Sequence, residues 1–171
     1  KEAIRNLAAG MQKSGHKVFL GCVFHLGADE KDLAVFEDTV VFERNKLFDL
    51  AAAKQLAQYC SLHKIDLIHT HDAGSLFFSS LAKFSCHKTP PQIMTFHRSL
   101  NFETANFKNK LRNMLSLLVT EGVITVSNAR GRDFIASNLI KPKRLQLINL
   151  SADINRFTYN LAARKRIRET F

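Results

Sequence analysis

The sequence contains no tryptophan, three prolines and three cysteines among 171 residues. Cys22, Cys60 and Cys86 are odd in number and far apart, so neither a disulfide framework nor a zinc site is indicated. No apolar run approaches the roughly 20 residues that cross a bilayer, and the amino end lacks the basic-then-apolar pattern of a signal peptide. These absences predict a cytoplasmic protein.

Phosphate-binding glycine loops are also missing, because none of the seven glycines falls in a GxGxxG or GxxxxGK spacing. The chain on its own therefore shows no nucleotide site. Hydrophobic residues make up 46% and charged residues 23% of the sequence, which is ordinary for a folded domain.

The positive charge is concentrated in the carboxyl half. Residues 1–97 hold 11 Lys/Arg against 10 Asp/Glu, whereas residues 98–171 hold 14 against 5. This asymmetry indicates an anionic partner such as a membrane surface or a phosphorylated substrate, with a solvated basic surface as the alternative. Because the basic groups are not interleaved with aromatics in the manner of a single-strand platform, no nucleic acid partner is expected.

Helix and strand patterns alternate along the chain. Helical spacing of apolar residues occurs around 3–11, 47–62, 76–84, 107–119, 128–138 and 162–171. Short apolar runs predict strands at 18–24, 35–42, 65–69, 91–96, 123–126 and 145–148, the second of them near an edge because acidic residues interrupt it. The pattern predicts an α/β domain with a Rossmann-like parallel sheet covered by helices on both faces.

Polar side chains follow four of the predicted strands. They are His25, His71-Asp72, His97-Arg98 and Ser127. Since ligands bind outside the carboxyl ends of parallel strands, these residues predict a cleft at that edge. His97 could act as an acid, a base or a hydrogen-bond donor, and Arg98 could pair with a phosphate or carboxylate. Ser127 also has the position of a helix N-cap.

His69 and His71 permit a second interpretation of this edge. Two histidines separated by one residue lie on the same side of a strand and could chelate a metal, as in metal-dependent hydrolases. Such sites need further ligands from other strands. The alternative is that His69 is hydrogen-bonded within the sheet and His71 lines a cleft.

The predicted helix 107–119 is amphipathic. With Phe107 at zero on a helical wheel, Leu111, Met114, Leu115 and Leu118 fall within about 80° of it. Lys108 and Arg112 border this stripe on one side and Lys110 borders it on the other. The pattern is typical of a helix at a membrane interface and equally of a helix that covers a sheet and has basic edges.

Four segments together resemble a known family. They are Ser14-Gly15-His16-Lys17-Val18, Asp66 to Asp72, Ile93 to His97, and the stretch from Val123 to Asn138 with Lys141-Pro142-Lys143-Arg144 and Asp153-Ile154-Asn155-Arg156-Phe157. Their order and spacing resemble the amino-terminal domain of a family-four retaining glycosyltransferase of the GT-B fold. Leu150-Ser151-Ala152-Asp153 departs from the Asn-Gly-Val-Asp usual in that family.

The resemblance implies a domain over residues 1–157, followed by a linker and basic helix (158–171) that lead to an absent carboxyl-terminal domain. That second domain would hold most of the nucleotide-sugar donor, a UDP- or GDP-sugar, and the chain itself would carry no cofactor. The family's first strand would precede residue 1. The isolated chain is then expected to be inactive.

Carried over to this sequence, the resemblance places His97 beside the transferred sugar and the acceptor hydroxyl, and His71, Asp72 and Ser127 along the cleft between domains, with no metal. It implies sugar transfer with retention to a lipid-linked or saccharide acceptor, in cell-envelope or polysaccharide synthesis. The helix with Lys108, Lys110 and Arg112 would contact the inner membrane face. A metal-dependent hydrolase and a basic anion- or membrane-binding module are the alternatives.

Overall fold

A computed structural model describes residues 2–25, 27, 33–86, 89–97, 107–149 and 159–170. Helices in this part of the chain are α1 (Glu2–Lys13), α2 (Leu50–Leu62), α3 (Ala73–Ser85), α4 (Phe107–Leu118), α5 (Asn128–Ala136) and α6 (Leu161–Thr170). Strands are β1 (Leu20–Cys22), β2 (Thr39–Val41), β3 (Ile68–Thr70), β4 (Gln92–Phe96), β5 (Gly122–Thr125) and β6 (Leu145–Leu147). The predicted site residue Arg98, the motif 153–157 and the predicted boundary at residue 157 lie outside the described residues.

All strand pairs are parallel, which confirms the predicted α/β class. β3, β4, β5 and β6 form one sheet in that order, with Ile68 opposite Gln92 and Met94 opposite Val123. β1 and β2 form a separate two-stranded sheet rather than continuing the first. Of the predicted strand 35–42, only Thr39–Val41 forms a strand, which is β2 of that small sheet. Asp38, just before β2, accepts a hydrogen bond from the Tyr59 hydroxyl at 2.8 Å.

Short polar side chains fix where three helices begin. Asp49 accepts a hydrogen bond from Ala52 N, Asp72 from Ser75 N, and Ser127 from Arg130 N. Each side chain satisfies a backbone donor that the first helical turn leaves free. The N-cap predicted at Ser127 is confirmed. Gly15 lies just beyond the carboxyl end of α1 and has a φ of 85°, a left-handed conformation that glycine adopts without a steric cost.

α3 is the central helix of the fold. Phe77 and Phe78 pack with Phe42 and the alanine face of α2, while Leu76 packs with a second cluster built on β4 and β5. That second cluster contains Met94, Phe96, Leu117, Val123, Phe134 and Ile140. Because α3 contributes to both clusters, it joins the two sheets to one core.

A buried hydrogen-bond network crosses from α3 to β4 and α4. The amide of Gln92, which is fully buried, accepts from Ser79 Oγ at 2.7 Å and donates to Ser80 Oγ at 2.9 Å and to Thr120 Oγ1 at 3.2 Å. Thr120 Oγ1 in turn donates to Ser116 O at 2.8 Å. Buried polar groups are tolerated only when they are paired, so this network fixes the side of α4 that faces the core.

Candidate functional site

A cavity of about 440 Å³ lies between α1 and the carboxyl halves of β3, β4 and β5. His69, His71, Thr95 and His97 line it from the sheet. The remaining lining residues are Ala3, Asn6, Leu7, Gly10, Met11, Ser14, His16, Ile124, Val126, Ile148 and Asn149. A larger and more open depression of about 620 Å³ lies along β2 and α2. Its one acid–base side chain is the Tyr59 hydroxyl, which donates to Asp38, whereas several histidines line the smaller cavity.

Three histidines form a stack along the sheet side of this cavity. The rings of His69 and His71 have centroids 4.4 Å apart, and those of His71 and His97 are 5.4 Å apart. His71 Nδ1 and His97 Nε2 share a hydrogen bond of 3.1 Å. The strand-end rule predicted that these two side chains would meet, because β3 and β4 are parallel neighbours and both residues follow directly on their strands.

His69 is held inside the sheet. Its Nε2 lies 2.8 Å from the Thr95 hydroxyl on β4, in a hydrogen bond whose direction depends on the histidine tautomer. This arrangement is the one that the sequence offered as the alternative to metal binding. Among the described residues there is no group of three His, Cys, Asp or Glu side chains placed to hold a metal ion. His69 Nε2 and His71 Nδ1 each take part in a hydrogen bond, to Thr95 on β4 and to His97 just after it.

The cavity wall keeps the histidines uncharged. Burial lowers the pKa of His69 to about 4, and burial followed by repulsion from His69 and His97 lowers the pKa of His71 to about 4. Partial burial, followed by the Arg130 guanidinium, lowers the pKa of His97. At neutral pH the His71–His97 pair thus holds one proton between its two facing nitrogens. Nδ1 of His97 takes no part in this bond.

Asp72 and Ser127 lie next to this wall without lining the cavity. Asp72 Oδ1 accepts from Ser75 N at 2.8 Å and its Oδ2 accepts from Ser75 Oγ at 3.0 Å. Ser127 Oγ accepts from Arg130 N at 3.5 Å. Both predicted site residues therefore cap helices at the carboxyl edge of the sheet. The caps aim the amino ends of α3 and α5, with their partial positive charge, toward that edge.

Two parts of the site were missed by sequence reasoning. Arg130, in the first turn of α5, acts on His97 through its charge, and α1 forms the second wall. A signal for that wall existed, because Ala3, Asn6 and Gly10 are small residues at helical spacing. A Cβ added at Gly10 would meet no atom within 4 Å, so there is open space beside this glycine where it lines the cavity.

The basic residues predicted as an anion contact lie on α4 and are not among the residues that line the cavity. Lys108 and Lys110 are exposed, whereas Arg112 is half-buried with a buried Nε. The charge of Arg112 is the second cause, after burial, of the lowered pKa of Arg44. No helix among the described residues is both long and apolar enough to span a bilayer.

Comparison with known proteins identifies the fold and the family. The structure is similar to crystal structures of Anabaena Alr3699/HepE in complex with UDP-glucose, with UDP and glucose, and with UDP. The TM-scores are 0.73, 0.76 and 0.70 at 19%, 19% and 18% identity. Each match covers 98% of this chain and 45% of the HepE chain, so the present chain spans less than half of that protein.

This likeness confirms the expected fold, which is one half of a GT-B glycosyltransferase. A search among curated proteins finds no significant match. The profile of Glycosyltransferase Family 4 matches residues 2–156, nearly the whole chain. The chain therefore belongs to Glycosyltransferase Family 4, as its motifs predicted.

Proposed function

We propose that this chain is the acceptor-side half of a retaining glycosyltransferase. The full enzyme would transfer a sugar from a nucleoside diphosphate donor to a saccharide or lipid-linked acceptor, in the synthesis of cell-envelope glycans or polysaccharides. Family membership supports the reaction class. The single observation that carries the assignment of the site is the hydrogen-bonded His71–His97 pair on the wall of the cavity.

In this proposal His97 touches the reacting groups through Nδ1, its nitrogen not bound to His71. During transfer the bond from the anomeric carbon to the diphosphate oxygen breaks with its electron pair on that oxygen. A bond from the anomeric carbon to the acceptor oxygen forms, and the acceptor proton passes to the departing diphosphate. A neutral imidazole forms a hydrogen bond to a sugar or acceptor hydroxyl without a charge that must be desolvated. His71 would hold the His97 ring in place.

The other predicted site residues would act around this pair. The caps at Asp72 and Ser127 would turn two helix amino ends toward the diphosphate, and Arg98 would pair with a phosphate or carboxylate group. The donor would be a UDP- or GDP-sugar held mostly by a second domain of the same polypeptide. UDP is favoured because HepE, whose fold is similar, binds UDP-glucose and UDP. The proposed location is the cytoplasmic side of a membrane.

The test is turnover by the full-length polypeptide. UDP-glucose is supplied with a membrane lipid extract as the source of acceptor, and release of UDP is measured. We expect His97→Ala to lower kcat by about 10²-fold or more, because a positioned acid–base or hydrogen-bonding group contributes on that scale. His25→Ala is the matched control, since His25 is exposed and does not line the cavity.

A kcat of His97→Ala within about twofold of the wild type would reject His97 as a catalytic residue. The isolated chain gives a second test. Half of the transferase site would be missing from it, so we expect no release of UDP. Turnover by this chain alone would contradict the two-domain proposal.

A further inference from the structure

Two arginines from different elements lie close to each other. Arg44 follows β2, and Arg112 lies in the second turn of α4. Both side chains are half-buried. Burial, followed by the charge of Arg112, lowers the pKa of Arg44. Since like charges repel most strongly where water is excluded, this pair costs free energy unless an anion offsets it.

Arg44 is held in one orientation. Its guanidinium carbon lies 4.7 Å from the centroid of the Phe24 ring and 6.0 Å from that of Phe78. Its Nη1 donates to Gly74 O, in the first turn of α3, at 3.4 Å. These contacts orient the planar guanidinium before any ligand arrives, which lowers the entropy lost on binding.

One donor on each arginine is buried and has no acceptor. Nε of Arg44 and Nε of Arg112 are both inaccessible to solvent and have no hydrogen-bond partner in the part of the chain that the structure describes. Buried donors are almost always paired in native proteins, and an unpaired one on a charged group is costly. Two such donors on neighbouring cations therefore indicate a site for an anionic ligand.

The nearest carboxylates bind other groups. Asp72 and Asp49 act on Arg44 through their charge. Both oxygens of Asp72 accept from Ser75, however, and those of Asp49 accept from two backbone N–H groups, one of them in the first turn of α2. Among the described residues no ion pair joins either arginine to a carboxylate. The two Nε donors thus remain for an acceptor from outside the chain.

We infer that Arg44 and Arg112 bind a phosphate group of the acceptor substrate. A phosphate carries several oxygens in a tetrahedral arrangement, so it can accept from two guanidinium groups at once, and its charge offsets both. The amino end of α3, where Arg44 contacts Gly74, adds partial positive charge. The site would select phosphorylated acceptors over neutral saccharides.

The assignment to the acceptor rests on the proposed function. Gly74 comes three residues after His71, so it lies within about 11 Å of the histidine pair along the chain. Neither arginine lines the cavity. The donor's diphosphate must reach the reacting centre, because the bond that breaks is its own. A phosphate held beside the cavity fits a substrate that presents a different group, its hydroxyl, to His97.

An NMR titration of the chain tests the phosphate site, with methyl phosphate as the probe. We expect saturable shifts of the Nε–H signals of Arg44 and Arg112 and of the Gly74 amide. Arg112→Gln should weaken binding about tenfold or more, because charge-assisted hydrogen bonds to the phosphate are lost. Arg168→Gln, at an exposed arginine of α6, is the matched control and should bind as the wild type does.

Two comparisons separate an acceptor phosphate from the donor's diphosphate. In the isolated chain, UDP should bind at the two arginines no more tightly than inorganic pyrophosphate, because the uridine finds no partner there. In the full-length polypeptide, Arg112→Gln should raise the amount of lipid extract needed for half-maximal release of UDP about tenfold. The KM for UDP-glucose should stay within about twofold.

Four results would overturn the inference. They are no saturable shift of either Nε–H with methyl phosphate, binding that Arg112→Gln leaves unchanged, UDP binding about tenfold tighter than pyrophosphate at the same signals, and a rise in the KM for UDP-glucose instead of the extract requirement. Circular dichroism verifies folding. If Arg112→Gln misfolds, Arg112→Lys decides, since it keeps the charge, loses the planar fork and should bind more weakly.

Failure of the proposed function gives a different result. A wild-type full-length polypeptide that releases no UDP would contradict the transferase and the assignment to an acceptor. Saturable binding of methyl phosphate by the chain would then still establish the phosphate site of Arg44 and Arg112.

Discussion

The cavity wall and helix α4 differ in which side chains they bury and which they expose. At the cavity, three histidines at the sheet edge form a half-buried stack, and burial lowers their pKa values so that they are uncharged. On α4, asparagine and serine are buried and five large apolar side chains face outward. The cavity histidines bond across neighbouring elements, whereas Ser116 Oγ donates to Arg112 O of its own helix, and Thr120, just beyond α4, bonds to Gln92.

The difference shows that burial follows available partners rather than hydropathy alone. His69 and His71 find Thr95 and His97 because parallel strands align their ends. Thr120 is buried because Gln92 connects it to α3 by hydrogen bonds, and its own hydroxyl donates to the backbone carbonyl of Ser116. Where partners exist, a polar side can be the packed side, and an apolar side then remains for an external surface.

The largest expected effect on stability is at Gln92. Gln92→Ala removes the side chain that pairs the hydroxyls of Ser79, Ser80 and Thr120. We expect a loss of about 3 kcal/mol in the free energy of unfolding, because buried hydroxyls lose partners and a cavity forms. Denaturant unfolding measures it, with Gln55→Ala, an exposed amide, as the control. A loss below about 1 kcal/mol would show that the network does not fix α4.

Much of the local structure could be predicted from the sequence. The predicted helix from Phe107 begins at that residue, Ser127 is an N-cap, and the fourth strand, predicted at 91–96, is Gln92–Phe96. Local signals decide these features, namely apolar periodicity and one capping side chain. The meeting of His71 and His97 could also be predicted, because the strand-end rule needs only the order of parallel strands.

Other features depend on partners far away in sequence. The wheel located the stripe of α4 but not which side packs, since Gln92, Lys83 and Arg144 decide that from other elements. The charge of Arg130 lowers the pKa of His97 because folding brings the two side chains near each other, although they are far apart in the sequence. β1 and β2 pair with each other and not with the larger sheet. The periodicity of a sequence predicts strands but does not show which strands pair.

A smaller effect is expected from pH. The folded chain holds His69 and His71 with a pKa of about 4, whereas an unfolded histidine titrates near 6.5. Between these values the unfolded chain binds more protons, so the free energy of unfolding should fall as pH falls from about 6.5 to about 4. The slope is at most about 1.4 kcal/mol per pH unit for each histidine.

Unfolding curves across this pH window provide the measurement. Asp38 and Asp49 have lowered pKa values in the folded chain, and an unfolded aspartate binds protons only below about pH 5, so the slope between about pH 6.5 and pH 5 reports the histidines. His71→Gln should reduce the slope by the share of one histidine, because His69 and His97 keep their lowered pKa values. A flat dependence in the wild type would mean that the histidines are not held neutral by burial.

The most direct test of the central claim is the ¹⁵N NMR titration of the histidine side chains. The claim to be tested is that His71 and His97 form one neutral, hydrogen-bonded pair on the cavity wall. The His71 ring should therefore give neutral-imidazole shifts at pH 6 and take up its proton only near pH 4, and His97 should titrate below 6.5. A titration of His71 near pH 6.5, as in a solvated histidine, would contradict the account.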